Sequence, residues 1–263
     1  MNNAHSKPHD LKHGIQGFLV LDGIVRLFIW SNSFMLTFAV FTRLDAWPEF
    51  SPIGTGWNQI WLWKLTHLVL LYNVFYVAHL VVLRLPIPLP KEGRYEIGTG
   101  KKLDRQLIYS ALIGILTKAR YEAPFPGFLV FHIANLPPMC WLMGPIFGPK
   151  SRSCYATEPV IADPHLVTIG RNVVVGLGAA MGAHFQDRDS VVIKRTVIED
   201  EVVIGALSAL TGAHVKRGAV IGAASFVLPG SVIGENEYWS GNPARKRRVL
   251  PPPGEREDSA EGS

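Results

Sequence analysis

The run Gly182-Ala183-His184-Phe185-Gln186-Asp187-Arg188-Asp189 places an imidazole three and five residues ahead of two carboxylates. An imidazole with a pKa near 6.5 can take up a proton close to neutral pH and give it back. Asp187 or Asp189 is near enough in sequence to orient the ring, as a neighbouring subunit or a backbone carbonyl could equally do. His165 and His214 bring the histidines of this region to three, which is the number a catalytic zinc site would need. Arg245, Lys246, Arg247 and Arg248 form a cationic run suited to phosphate oxygens or to anionic lipid headgroups. Cys140 and Cys154 are too few for a disulfide framework or a four-thiolate zinc site, so a reducing compartment is expected and no covalent nucleophile stands out.

The elements that must position these groups belong to two different kinds of sequence. The chain has 263 residues, 48% hydrophobic and 18% charged, with a mean hydropathy of +0.19. That excludes a disordered chain and is too apolar for an ordinary water-soluble domain. The net charge of +5 lies beside apolar segments and in the one basic run, without the stacking aromatics of a nucleic-acid surface. Residues 1–150 hold all but one of the seven tryptophans, and residues 151–250 are rich in Val, Ile, Gly and Ala. Leu65 to Leu83 carries no formal charge and would make a helix about 28 Å long, enough for a bilayer core. A second span is expected from Ile24 to Thr42, with Arg26 able to pair with Asp22 four residues earlier. Flanking lysines and arginines predict that both ends face the cytoplasm, which for a bacterial-type chain means the inner membrane. The prolines of Leu85 to Pro90 predict a stiff extended exit, and residues 102–121 an interfacial helix. Phe125 to Phe147, broken by Pro137, Pro138 and Pro145, reads as a re-entrant or surface segment, and residues 251–263 as a disordered tail.

From about residue 160 the apolar positions recur every six residues. Ile169, Val175 and Met181 come first; after an interruption come Val192, Ile198, Ile204 and Leu210, and then, one residue short, Val215, Ile221, Val227, Ile233 and Trp239. Neither a helix nor a flat strand has this period. A triangular solenoid does, with one short strand per side, one apolar side chain inward, and Gly or Ala at the corner. The polar stretch between Met181 and Val192 is then a loop projecting from a corner.

The stretches VVIGALSAL and AVIGAASFVLPGSVIG, with the terminal SGNPARKRR, resemble the left-handed β-helix acyltransferases of the hexapeptide-repeat family over roughly residues 160–248. ADPHLVTIG and GAHFQDRD also resemble the membrane-associated hexapeptide domains at the end of ε-poly-lysine synthetase-like proteins. The family resemblance implies N-terminal transmembrane helices over 1–150, an all-β left-handed parallel β-helix over 151–250, a homotrimer, and acyl-CoA as co-substrate with no bound cofactor. It implies His184 as the general base that deprotonates an acceptor hydroxyl or amine, with Asp187 as the nearest candidate to orient it. It implies that Ala206, Gly222, Ala223 and Ser225 make room for a pantetheine arm, and that Arg245, Lys246 and Arg248, with Arg247, meet coenzyme A phosphates. The size of the apolar half adds a lipid-linked or otherwise apolar acceptor. Related carbonic anhydrases hold zinc with three histidines, but His184 follows its register position by three residues and His214 precedes its own by one, so the two should not share a level. The alternatives within this frame are amide formation from a carrier-bound aminoacyl thioester and a non-enzymatic trimerising scaffold.

Overall fold

A computed structural model of the chain describes residues 9–45, 57–97, 103–121, 144–151, 154–156 and 160–253. They divide into two compact units, Met1–Pro88 with Ile115–Leu136 and Leu89–Gly114 with Pro137–Ser263. Most of the expected re-entrant segment and tail lies outside the described residues, as does Cys140.

The first unit is built on α1 (His9–Asp45) and α2 (Trp57–Arg84), which pack against each other. Both are long and apolar enough to cross a membrane, over Gln16–Arg43 and Lys64–Arg84. Their outward positions are apolar, including Leu19, Leu27, Phe34 and Met35 of α1 and Val74 and Val82 of α2. Their seam, by contrast, is partly polar. Asp22, Ser33 and Thr37 recur with Ile29 along one buried stripe of α1, and Arg26 Nε lies 2.8 Å from Asp22 Oδ1. Ser33 Oγ is 3.1 Å from His79 Nδ1, and the Tyr76 hydroxyl donates to the Ala119 carbonyl at 2.8 Å. Ala119 belongs to α3 (Arg105–Tyr121), the helix expected over residues 102–121. The two helices are thus apolar on their outer positions, with polar side chains among the apolar Ile29, Tyr76 and Leu80 at the seam.

The second unit is a parallel β-solenoid with three faces. One sheet stacks Lys150–Ser151, Val167–Ile169, Thr196–Ile198, His214–Val215 and Val232–Ile233. A second stacks Cys154–Ala156, Val173–Val175, Val203–Ile204, Val220–Ile221 and Glu237–Ser240, closed by the antiparallel strand Arg245–Val249. The third stacks Val160–Ile161, Ala180–Gly182, Ala209–Thr211 and Phe226–Val227. The six-residue register becomes three inward columns: Ile169, Ile198, Val215, Ile233; Val175, Ile204, Ile221, Trp239; and Met181, Leu210, Val227. All are no more than 2% exposed except Trp239, which is half-buried at the end of its column.

The corner glycines are set by the distance between coils. A Cβ on Gly205 would lie 2.4 Å from the Ala223 backbone nitrogen, and one on Gly176 would lie 2.4 Å from that of Ala206. Gly205→Ala is therefore expected to destabilise the solenoid by about 1–3 kcal/mol, the usual range for forced overpacking. A fall in the denaturation midpoint checks this, and an unchanged midpoint would mean that the coils can move apart freely.

One sequence expectation is corrected by the structure. Val192 is not an inward solenoid position: it lies in Ser190–Ile193, which pairs antiparallel with His184–Asp187 to make the projecting loop a β-hairpin. A hairpin's alternation places an apolar residue six before Ile198 by coincidence of phase. Gly93–Glu96 pairs antiparallel with Ser190–Ile193, so residues 89–114 belong with the solenoid.

Candidate functional site

The site grows from the way one coil lies over the next. Val160–Ile161 pairs with Ala180–Gly182 so that Ile161 is opposite Met181. Two residues further along each chain, Asp163 therefore comes to Ala183 and His184. Asp163 precedes the short 3-10 turn Pro164–Leu166, and its carboxylate makes no capping bond there. It turns to the next coil instead, where Oδ2 accepts the Ala183 N–H at 2.9 Å and lies 2.7 Å from His184 Nδ1. An ionised carboxylate only accepts, so Nδ1 carries the proton and the Nε2 lone pair is left to receive one.

Burial differs sharply across this pair. The Asp163 side chain is 8% exposed and that of His184 is 48% exposed, so the carboxylate is fixed beneath a ring that reaches solvent. Burial by itself would push the Asp163 carboxyl up, but the hydrogen bond and charge of His184 and the Ala183 N–H outweigh it and hold the carboxyl below its ordinary value. The same hydrogen bond raises His184 above 6.5, against the opposing effect of its own burial. By linkage, the His184 share of stability is present in full below the ordinary imidazole value and is lost as pH rises through the raised one. The Asp163 share is present above the ordinary carboxyl value and is lost as pH falls through the lowered one.

Asp187, the carboxylate expected to orient the ring, lies at the far end of the hairpin strand. Its Oδ2 is 2.7 Å from Arg94 Nη1. Asp189 sits in the hairpin turn, where its carbonyl accepts the Ile97 N–H at 2.8 Å. Asp163 was missed because it is 21 residues from His184. The six-residue period would not have found it, since one regular coil back from Met181 is Asp163 itself, whereas the pairing puts Ile161 there. His214 Nε2 is 2.6 Å from Glu199 Oε1, and among the described residues no group of three or more His, Cys, Asp or Glu side chains is placed to hold a metal ion.

The positions expected to meet the acyl donor are not alike. Ala206 is half-buried and Ala223 exposed at the corner between the second and third sheets, while Gly222 is buried. A Cβ on Gly222 would lie 2.8 Å from the Tyr238 hydroxyl and 2.9 Å from Ser240 Cβ, so coil packing already demands glycine there. Ser225 is 2% exposed and its Oγ accepts the Gly241 N–H at 3.1 Å, which commits it to the fold. In the basic strand, Lys246 Nζ is 2.6 Å from Glu237 Oε1, and Arg248 lies 5.5 Å from the centroid of the Tyr238 ring. Glu237 also accepts from Trp239 Nε1 and the Gly234 N–H, and these bonds with Lys246 hold its carboxyl low, with the Lys246 bond the largest contribution. Lys246 is thereby tied to the end of the solenoid, although it is exposed like every residue of this strand.

No family model matches the chain. Over 72 residues it is 35% identical to the bifunctional protein GlmU of Baumannia cicadellinicola, a stretch that covers 27% of this chain and 13% of that protein. Among solved structures it is similar to a hexapeptide-repeat acetyltransferase of Vibrio cholerae in complex with acetyl coenzyme A, at 19% identity and a TM-score of 0.38, covering 58% of this chain and 94% of that one. It is also similar to a galactoside acetyltransferase in complex with coenzyme A, at 15% identity and a TM-score of 0.40, covering 57% and 86%. A maltose O-acetyltransferase of Clostridium difficile is similar at 15% identity and a TM-score of 0.36, covering 55% and 86%.

Proposed function

We propose that the chain is a membrane-bound acyltransferase that moves an acyl group, acetyl in the first instance, from acyl-CoA to a hydroxyl or amine of a lipid-linked or apolar acceptor. The observation that carries this reading is the His184–Asp163 pair: a half-exposed imidazole held in one tautomer by a buried carboxylate, at the root of a hairpin leaving a β-solenoid. His184 Nε2 takes the proton of the acceptor O–H or N–H as that atom attacks the thioester carbonyl. The tetrahedral intermediate collapses, the C–S bond breaks, and Nε2–H returns the proton to the departing thiolate. The carboxylate stays ionised throughout and stabilises the imidazolium. No covalent acyl-enzyme is needed, and the rate gain comes from holding both substrates together.

The rest of the reading follows the family resemblance. The solenoid winds left-handed and packs as a closed trimer, with donor sites in the clefts between protomers. By that resemblance Ala206, Gly222, Ala223 and Ser225 make room for the pantetheine arm, and Arg245, Lys246 and Arg248, with Arg247, meet its phosphates. α1 and α2 cross the inner membrane with both termini cytoplasmic, and their apolar outer faces support an acceptor drawn from the lipid phase.

The test uses the full chain in lipid nanodiscs with radiolabelled acetyl-CoA and a lipid extract as acceptor. Acetyl-CoA is expected to raise the unfolding midpoint with dose, equivalent to about 2.7 kcal/mol at one hundred times its dissociation constant. Label is expected to move into the organic phase. Absence of both effects up to millimolar donor would leave a trimerising scaffold as the better reading, and label confined to water-soluble products would remove the lipid acceptor.

A further inference from the structure

The hairpin that carries His184 is not held by the solenoid alone. Gly93–Glu96 supplies its third strand, pairing residue by residue from Gly93 opposite Ile193 to Glu96 opposite Ser190. Grips at both ends extend the pairing. Glu92 Oε1 accepts the Arg195 N–H at 2.8 Å near the root, and the Ile97 N–H donates to the Asp189 carbonyl at the tip. We propose that this strand is the arm that fixes the His184 hairpin in its working position, with Arg94 as its positioning residue. The inference rests on the acyl-transfer reading of His184 and adds to it a control from a segment about ninety residues upstream.

Strand alternation assigns the two faces of the arm different tasks. Arg94 is opposite Val192, and its Nη1 donates to Ser190 Oγ of the central strand at 3.2 Å and lies 2.7 Å from Asp187 Oδ2 of the far one. Ser190 is buried, so this contact fastens both strands close to the turn. Tyr95 faces the other way. With Leu107 it packs against buried Leu166, Ala183 and Ile193. Ala183 is the residue whose N–H binds Asp163, and Leu166 ends the turn that Asp163 begins. The arm therefore touches the floor of the His184–Asp163 pair with one face and ties down the hairpin tip with the other.

A two-stranded hairpin is marginal in water, and a third strand with an apolar face gives it stability. An exposed ion pair such as Arg94–Asp187 contributes little to global stability. Its loss should appear as local opening of the hairpin and misplacement of the base rather than as unfolding. A direct chemical role for Asp187 makes the opposite forecast, because there the carboxylate itself must be present.

The experiment compares the full chain with Arg94→Ala, Arg94→Asp and the exchange of Arg94→Asp with Asp187→Arg. Arg94→Ala is expected to lower kcat about fivefold, leave acetyl-CoA affinity within about twofold, and speed amide exchange over residues 185–192 about tenfold. Arg94→Asp is expected to be worse, about tenfold to thirtyfold down in kcat. The exchanged pair should recover to within about threefold of the parent and regain slow exchange. Unchanged exchange in Arg94→Ala would overturn the arm, and so would an exchanged pair no more active than Arg94→Asp alone. Should the parent chain transfer no acyl group at all, the acyl-transfer reading fails, and the exchange measurement still decides whether Arg94 secures the hairpin.

Discussion

His184→Ala is expected to lower acyl transfer by about two orders of magnitude or more, with acetyl-CoA binding and the solenoid intact. The three inward columns of the solenoid do not depend on the ring. His184 is 48% exposed at its side chain, lies outside the three inward columns, and begins a hairpin whose pairing runs through backbone groups. What the substitution removes is the proton acceptor at Nε2, and beneath it the Asp163 carboxylate keeps only the Ala183 N–H. The measurement is single-turnover transfer with saturating donor, alongside the denaturation midpoint. Near-normal turnover would eliminate His184 as the base, and a collapsed midpoint would show that the ring is structural.

Asp163→Asn should produce the second large effect, about 10²-fold to 10³-fold in kcat, through an atom that never touches the substrate. An amide can present its N–H₂ to Nδ1, which moves the imidazole proton to Nε2 and removes the lone pair needed there. The pH dependence separates this from simple misfolding. The hydrogen bond to Asp163 raises His184 above 6.5, so in the parent the acid limb of kcat should lie above that value, since the ring must be neutral to act as a base. Without the carboxylate, the burial that opposes the shift is left, and the residual activity should persist to lower pH. An acid limb that stays in place in Asp163→Asn would separate the titration of His184 from Asp163. Substitution of Asp187 should leave the limb where it is, because Asp187 is engaged with Arg94 at the other end of the strand.

The comparison of these two aspartates shows where reading the chain alone stops. Asp187 is three residues from His184 and looks like the closer partner, but along an extended strand three residues span about 10 Å, and successive side chains alternate between faces. Asp163, 21 residues away, is a neighbour because strands of successive coils lie about 4.8 Å apart. The six-residue period, which the structure turns into three columns ending at Ile233, Trp239 and Val227, would put Asp163 itself opposite Met181. The pairing of Ile161 with Met181 departs from that period by two residues, and it is this departure that brings Asp163 to Ala183 and His184. The basic run was legible as charge, but Glu237 claims Lys246 and Tyr238 stacks with Arg248 through strand pairing that no local pattern announces.

What the sequence alone determined was whatever depends on short-range repetition: two helices long and apolar enough for a bilayer, the Asp22–Arg26 pair one helical turn apart, and a solenoid whose inward residues recur every six positions. Periodicity is a local property, because each element must bury its own apolar face whatever lies next to it. Tertiary structure decided which carboxylate holds His184, the strand character of the projecting loop, and the attachment of Gly93–Glu96 to it. The strand pairings run through backbone hydrogen bonds that every residue but proline can offer, and the Asp163–His184 bond joins two side chains 21 residues apart. Backbone bonds leave no mark on residue type, and which carboxylate meets His184 depends on how one coil registers on the next, so only the packed coils could select them.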